Sequence, residues 1–243
     1  GTNGKTTTAS LLKSILIKSG HKTAQIGTLG LLADNIEKIE TLTTPDAITL
    51  HKILKELRDA DFSHIVMEVS SHSLDQYRVA DIHFDIAAFT NLTPEHLDYH
   101  LTIEKYFRTK LRLFSMLPNN AKAVINTSDL FGQKIIKHLS IPVISFSDKN
   151  DSSINYKNLD VSVYGIKGEI VAFEKRYSIE SDLIGDFNSI NILAAVSIAH
   201  TLGENSQNIE EGINACLAIP GRMELFKTSS GVKIIIDYAH TPD

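Results

Sequence analysis

Gly1-Thr2-Asn3-Gly4-Lys5-Thr6-Thr7-Thr8 reads as the later part of a phosphate-binding loop, with Gly4-Lys5-Thr6 supplying the G-K-[ST] of G-x-x-x-x-G-K-[ST]. In such a loop Gly4 lets the backbone approach phosphate oxygens. Lys5 brings a cation to the β and γ phosphates, and the Thr6 hydroxyl stands where magnesium is ligated. The loop joins a strand to a helix whose first N–H groups face the anion. The helix is legible downstream. The strand and the first glycine of the pattern would precede residue 1, so the chain is expected to be part of a longer protein that handles a nucleoside triphosphate. A chance glycine-rich turn before a helix is the plainer alternative.

Outward from the loop, Ala9, Leu12, Ile15 and Leu16 recur at helical spacing, which predicts a helix from Lys5 to about Ser19 stopped by Gly20. Thr23 to Gly30 reads as a short strand. Pro45 marks a helix start, with Ile48, Ile53, Leu54 and Leu57 on its buried face. Ile65 to Val69, Ile86 to Thr90, Ala123 to Asn126 and Val143 to Phe146 read as buried strands. A helix from about Ile103 to Leu117 falls among them. Apolar strands separated by amphipathic helices predict an α/β fold, a mostly parallel sheet flanked by helices as in P-loop NTPases. Residues 147–158 read as an exposed polar loop, and between Ile154 and Ile184 short β-like stretches around Gly165 and Gly168 predict a small antiparallel side sheet. Helices follow from about Asn188 to Leu202 and Asn208 to Leu217, then strands at Met223–Phe226 and Lys233–Ile236.

Composition narrows the function classes. A charge balance of 24 basic against 29 acidic residues, net -5, offers no polycationic face for nucleic acid. The single cysteine, Cys216, excludes an internal disulfide and any multi-thiolate metal site. It fits a reducing cytoplasm and reads as a core residue. No apolar run approaches the length of a membrane span.

Two further clusters carry chemistry. Glu68 is a carboxylate in an otherwise apolar strand, which is costly unless it is paired or metal-bound. It lies where the strand ends, and ligands gather beyond the carboxyl ends of strands in α/β sheets. Magnesium coordination and a structural salt bridge are both open readings. Thr90-Asn91-Leu92-Thr93-Pro94-Glu95-His96-Leu97-Asp98-Tyr99-His100 also begins at a strand end. There His96 and Asp98 are candidates for a second divalent ion, the alternative being a helix cap with surface histidines. Lys110 alone reads as a surface lysine. His64, His83, His138 and His200 lack a supporting set and read as structural.

Six ordered blocks resemble the ATP-dependent Mur ligases, most closely the MurE type. They are Gly1–Thr8, Glu68–Leu74, Asn91–His100, Asn188–Ala195, Gly221–Glu224 and Asp237–Asp243. The resemblance implies that residues 1–221 form the central ATP-binding domain. Residues 222–243 would lead into a C-terminal Rossmann-like domain, and the chain alone is expected to be inactive. Gly1, Thr2, Asn3, Gly4, Lys5, Thr6 and Thr7 would bind ATP together with Asn188, Asn191, Arg222 and Asp237. Thr6 and Glu68 would hold the first of two magnesium ions. His96 and a carbamylated Lys110 would serve the second, with Lys5, Glu68, His96 and Lys110 as the catalytic set. Thr43, Thr44, Ser70 and Arg78 would receive UDP-MurNAc-L-Ala-D-Glu.

The implied reaction is a cytoplasmic step of peptidoglycan precursor synthesis, catalysed by a monomer. ATP phosphorylates the substrate carboxylate, and a diamino acid attacks the acyl phosphate. Meso-diaminopimelate is the family expectation, with L-lysine as competitor. Folylpolyglutamate and cyanophycin synthetases are alternatives within the ligase class. A P-loop regulatory or transport ATPase is the alternative outside it.

Overall fold

Helix α1 (Lys5–Lys18) begins at Gly4, whose φ of 80° is left-handed and so suits glycine. In the computed structural model, which describes residues 1–37, 39–149, 151–227 and 231–239, the parallel strands fall into two sheets. In the first, β1 (Thr23–Gly27) lies between β2 (Gly30–Leu32) and β3 (His64–Met67). β1 pairs parallel with β3 in the register Thr23↔His64 and antiparallel with β2. The single strand expected over Thr23–Gly30 is therefore a tight hairpin.

Between these strands runs α2 (Ala47–Asp59), whose N-cap Asp46 accepts from the Thr49 N–H. Its buried face is Leu50, Ile53 and Leu57, while Ile48 is 71% exposed. The expectation for Ile48 fails because a helix whose inward stripe is set at 50, 53 and 57 turns position 48 outward.

The second sheet has the order β4-β5-β6-β7-β8-β9. β4 (Ile86–Phe89), β5 (Lys122–Asn126) and β6 (Val143–Ser147) are parallel. β7 (Ile154–Ser162), β8 (Gly165–Ala172) and β9 (Lys175–Ser181) form the expected antiparallel unit, which β7 joins to β6 by parallel pairing at Phe146↔Ile154. Residues 147–158 are therefore not one loop. Ile154 and Tyr156 are buried in β7, where their alternation faces the core.

Short helices α3 (Ser71–Asp75), α4 (Leu97–His100) and α6 (Leu130–Ile136) and the longer α5 (Ile103–Ser115) fill the connections. Helix α7 (Asp186–Leu202) is apolar nearly all round, and every residue from Asn191 to Ala199 is buried, as such a helix must be. It forms one core with Leu11, Leu12 and Ile15 of α1, Ile209 and Ile213 of α8 (Ser206–Ala215), and Phe146, Ile154, Ile170 and Tyr177 of the sheet. Cys216 caps α8 half-buried against that core, and burial pushes its thiol up to about 11. A separate antiparallel pair, β10 (Glu224–Lys227) and β11 (Lys233–Ile236), ends the described chain.

Candidate nucleotide and metal site

The N-terminus of α1, the residues following β3 and those following β4 meet at one end of the sheets. The loop is anchored to the β4 side. Thr2 N–H donates to the Asn91 carbonyl at 2.9 Å, Asn3 N–H donates to Asn91 Oδ1 at 2.8 Å, and Thr90 Oγ1 donates to the Asn3 carbonyl at 2.7 Å. Thr2 Oγ1 lies 3.0 Å from the Tyr106 hydroxyl and accepts from the Thr93 N–H at 3.2 Å. Lys5 Nζ donates to the Gly1 and Thr2 carbonyls at 3.0 and 2.6 Å, which curls its stem over the loop. Burial lowers the Lys5 ammonium, and the Glu68 and Glu95 carboxylates oppose that shift.

Thr6 Oγ1 donates to Glu68 Oε2 at 2.9 Å, and Glu68 is 3% exposed at the carboxyl end of β3. Thr28 completes its surroundings, donating from N to Oε1 at 3.0 Å and from Oγ1 to Oε2 at 3.2 Å. The fully satisfied carboxylate has no basic partner among these bonds, so the salt-bridge reading fails. An octahedral magnesium ion with bonds of about 2.0–2.1 Å sets neighbouring oxygens about 2.9 Å apart. The Thr6–Glu68 separation matches that edge, so the pair fits the ion the loop implies.

Asn188 and Asn191 reach the loop from α7. Asn191 Nδ2 donates to Asn188 Oδ1 at 2.9 Å, and Asn188 Nδ2 to the Ile184 carbonyl at 2.8 Å. A Cβ on Gly4 would lie 2.0 Å from Asn191 Oδ1. Arg222 Nη2 comes within 3.5 Å of Thr6 Oγ1. Asp237 is held elsewhere, accepting from the Met223 and Ala239 N–H groups at 2.7 Å each. These bonds pin the turn that carries Arg222. Residues 240–243 of that sequence block lie outside the described residues.

Lys110 is 6% exposed on α5 with Nζ 4.5 Å from the Tyr106 ring centroid, so the surface reading fails. Burial, aided by the Lys5 charge, lowers its ammonium well below the usual lysine range. His96 caps α4 in a left-handed conformation, its Nε2 3.7 Å from Glu95 Oε1 and its ring edge-on to His72 at 4.9 Å. Asp98 is exposed in the first turn of α4. The expected second-ion set of His96 and Asp98 gains no third His, Cys, Asp or Glu ligand within 4.8 Å among the described residues.

The four residues expected to meet the larger substrate cluster beside Glu68. Thr44 Oγ1 donates to the Glu68 carbonyl at 2.8 Å and accepts from Ser70 N–H at 3.1 Å. Arg78 Nη1 donates to the Thr44 carbonyl at 2.8 Å, and Thr43 Oγ1 lies 3.2 Å from Thr28 Oγ1.

Sequence reasoning missed Thr28, Tyr106 and His100. His100 Nε2 lies 2.9 Å from Ser71 Oγ, and its ring stacks on Tyr106 at 4.8 Å. Tyr106 sits one helical turn before Lys110, a spacing that could have flagged it. Nothing local marks Thr28.

A phosphate loop at a helix N-terminus, a buried carboxylate against its threonine and a buried lysine beyond define a nucleotide-binding α/β domain of the P-loop class. Residues 1–199 match the Mur ligase middle domain, and the chain belongs to the Mur ligase family. It is 40% identical over 249 residues to the UDP-N-acetylmuramoyl-L-alanyl-D-glutamate--2,6-diaminopimelate ligase of Geobacter sulfurreducens, covering 100% of this chain and 49% of that protein. The enzyme of the same name from Aquifex aeolicus is 40% identical over 246 residues, again with 100% and 49% covered. A solved structure of a ligase of that name superposes with a TM-score of 0.86 at 31% identity, covering 100% of this chain and 50% of the other. The chain thus spans about half the length of the curated relatives it matches.

Proposed function

We propose that the whole protein is an ATP-dependent amide ligase that adds meso-diaminopimelate to UDP-MurNAc-L-Ala-D-Glu in peptidoglycan precursor synthesis. The observation that carries this reading is the Thr6–Glu68 oxygen pair at the mouth of the phosphate loop, with Lys110 buried beyond it where desolvation disfavours its ammonium. The names of the relatives supply the substrate.

Residues 1–221 would be the ATP-binding unit, and 222–243 the passage to the next domain. Gly1 to Thr7 would wrap the ATP phosphates, with Lys5 leaving its carbonyl partners to neutralise the γ-phosphate as charge develops there. Asn188, Asn191, Arg222 and Asp237 would border the nucleotide. Thr6 and Glu68 would hold one magnesium ion; His96 and Lys110 would serve a second. Bound there, magnesium would neutralise phosphate repulsion and orient in-line transfer to the substrate carboxylate.

Lys110 would act as a carbamate. Its amine attacks the carbon of carbon dioxide and loses a proton, which turns a buried cation into an anionic ligand. The burial that disfavours the ammonium favours the neutral amine that this attack requires. Thr43, Thr44, Ser70 and Arg78 would present the muramyl peptide to the phosphate. The carboxylate becomes an acyl phosphate with ADP released, and the amine of the diamino acid displaces phosphate. ATP as co-substrate fits work in the cytoplasm.

The test is ligation by the full-length protein with ATP, magnesium and UDP-MurNAc-L-Ala-D-Glu, supplying meso-diaminopimelate or L-lysine in separate reactions. Tripeptide product with meso-diaminopimelate and little with L-lysine is expected. Product with L-lysine alone would overturn the amino-acid assignment. ATP hydrolysis indifferent to both acceptors would overturn the ligase reading.

A further inference from the structure

His21, His64 and Glu204 meet at the end of the first sheet remote from the phosphate loop. Each offers a ligand atom, and these atoms lie within 4.8 Å of one another. The three donors are held by backbone motifs rather than by mobile loops. Helices α1 and α7 both end through a left-handed glycine, Gly20 at φ 84° and Gly203 at φ 93°. His21 and Glu204 are the residues after those glycines. Their N–H groups return to the Leu16 and Ala199 carbonyls at 3.0 and 3.1 Å, the Schellman closure. His64 is the first residue of β3 and pairs in register with Thr23 of β1.

His21 Nε2 lies 2.9 Å from Glu204 Oε1, and the His21 and His64 rings are 4.1 Å apart. An ion pair alone would use two of these donors, and the second imidazole would add only its ring contact with the first. A cation uses all three.

We propose that His21, His64 and Glu204 form a binding site for a divalent transition metal of the zinc class, separate from the magnesium chemistry of the phosphate loop. A tetrahedral zinc ion at about 2.0–2.1 Å from its ligands holds them about 3.3 Å apart, so a small inward movement of His64 closes the set. Two imidazoles and a carboxylate favour zinc, copper or nickel over magnesium, which prefers oxygen donors. Ser63 Oγ lies 3.0 Å from His64 Nδ1. With Nδ1–H donating to it, the lone pair rests on Nε2, the outer partner that metal-binding histidines commonly have.

On entry the metal displaces any proton shared between His21 Nε2 and Glu204 Oε1, which leaves to solvent; no redox change is involved. Three protein ligands leave a fourth position for water. A bound ion would staple the ends of α1 and α7 to the start of β3. That clamps the two helices of the main core to the sheet carrying Glu68.

The test uses the full-length protein stripped with chelator and titrated with zinc chloride by calorimetry. Cobalt chloride would be added in parallel for its visible absorption. One zinc per chain is expected, with a cobalt spectrum of four- or five-coordinate character and a raised melting temperature. His64→Phe, which keeps a ring against His21, and Glu204→Gln should each weaken zinc binding by at least about 10–100-fold, since losing a direct ligand costs no less than losing an outer partner. Thr6→Ala should leave it unchanged. The proposal is overturned by the absence of saturable binding, by a six-coordinate cobalt spectrum, or by a zinc affinity in His64→Phe and Glu204→Gln equal to that of the unsubstituted protein. The cobalt spectrum of the unsubstituted protein decides the matter even where a variant folds poorly.

Discussion

Thr6 Oγ1 and Glu68 Oε2 lie 2.9 Å apart although 62 residues separate them in the chain. The contact exists because α1 starts where β3 ends, and because Thr28, at the close of β1, orients both carboxylate oxygens from the other side. A hydroxyl and a carboxylate at that spacing are preorganised for a small hard cation.

Glu68→Gln should therefore lower ligation by about 10²–10³-fold, with the loss in kcat rather than in the melting temperature. Thr6→Ala should behave alike. The double substitution should cost much less than the product of the two losses, because the side chains act as one unit. Additive losses in steady-state kinetics would refute the shared role.

Lys110→Met should abolish carbamylation and reduce ligation by at least about 100-fold. In the unsubstituted protein, activity should fall when carbon dioxide is removed and return with added bicarbonate. The stability effect runs the other way. The folded-state ammonium of Lys110 lies well below that of the unfolded chain, so burying its charged form destabilises the carbon dioxide-free protein. Between the two pKa values the unfolded chain binds more protons, and stability rises with pH. Lys110→Met should accordingly raise the melting temperature most below the folded-state pKa, with the gain shrinking as pH climbs toward the ordinary lysine range. Thermal melts across that range check the sign.

Gly4→Ala meets two obstacles at once, a left-handed φ of 80° and Asn191 Oδ1 at 2.0 Å from the new Cβ. A loss of about 1–2 kcal/mol in stability from the backbone alone is expected, with nucleotide affinity falling further. Adding Asn191→Gly should relieve the contact but not the backbone cost. The recovery in chemical denaturation should be partial.

Tyr106→Phe removes the hydroxyl 3.0 Å from Thr2 Oγ1, for an expected cost of about 0.5–1.5 kcal/mol. Burial pushes this phenol up to about 12, so it stays protonated across the working range. The loss should be the same at pH 6 and pH 9 when measured by chemical denaturation.

Leu50→Ala should cost about 2–5 kcal/mol, while Ile48→Ser should fall within about 0.5 kcal/mol of no effect. Both residues sit in the first turns of α2, and only the inward face distinguishes them.

What the sequence alone determined is local. The phosphate loop, the helix behind it, the apolar strands and the carboxylate of Glu68 are legible because backbone hydrogen bonding and side-chain periodicity act over a few residues. Lys110 shows the boundary. Its own neighbours mark an ordinary helical lysine, and only the packing of α5 against the loop buries it. Thr28 and Tyr106 join the site through partners 40 and 104 residues away, and nothing near them in the chain records that. His64 reads as structural in the sequence for the same reason: its companions His21 and Glu204 arrive from the ends of two different helices. Strand order and register bring distant residues together, and those follow from how the whole set of apolar faces is buried at once. Tertiary structure therefore decided which of the legible parts converge, and whether each polar group was left in water or held against a partner.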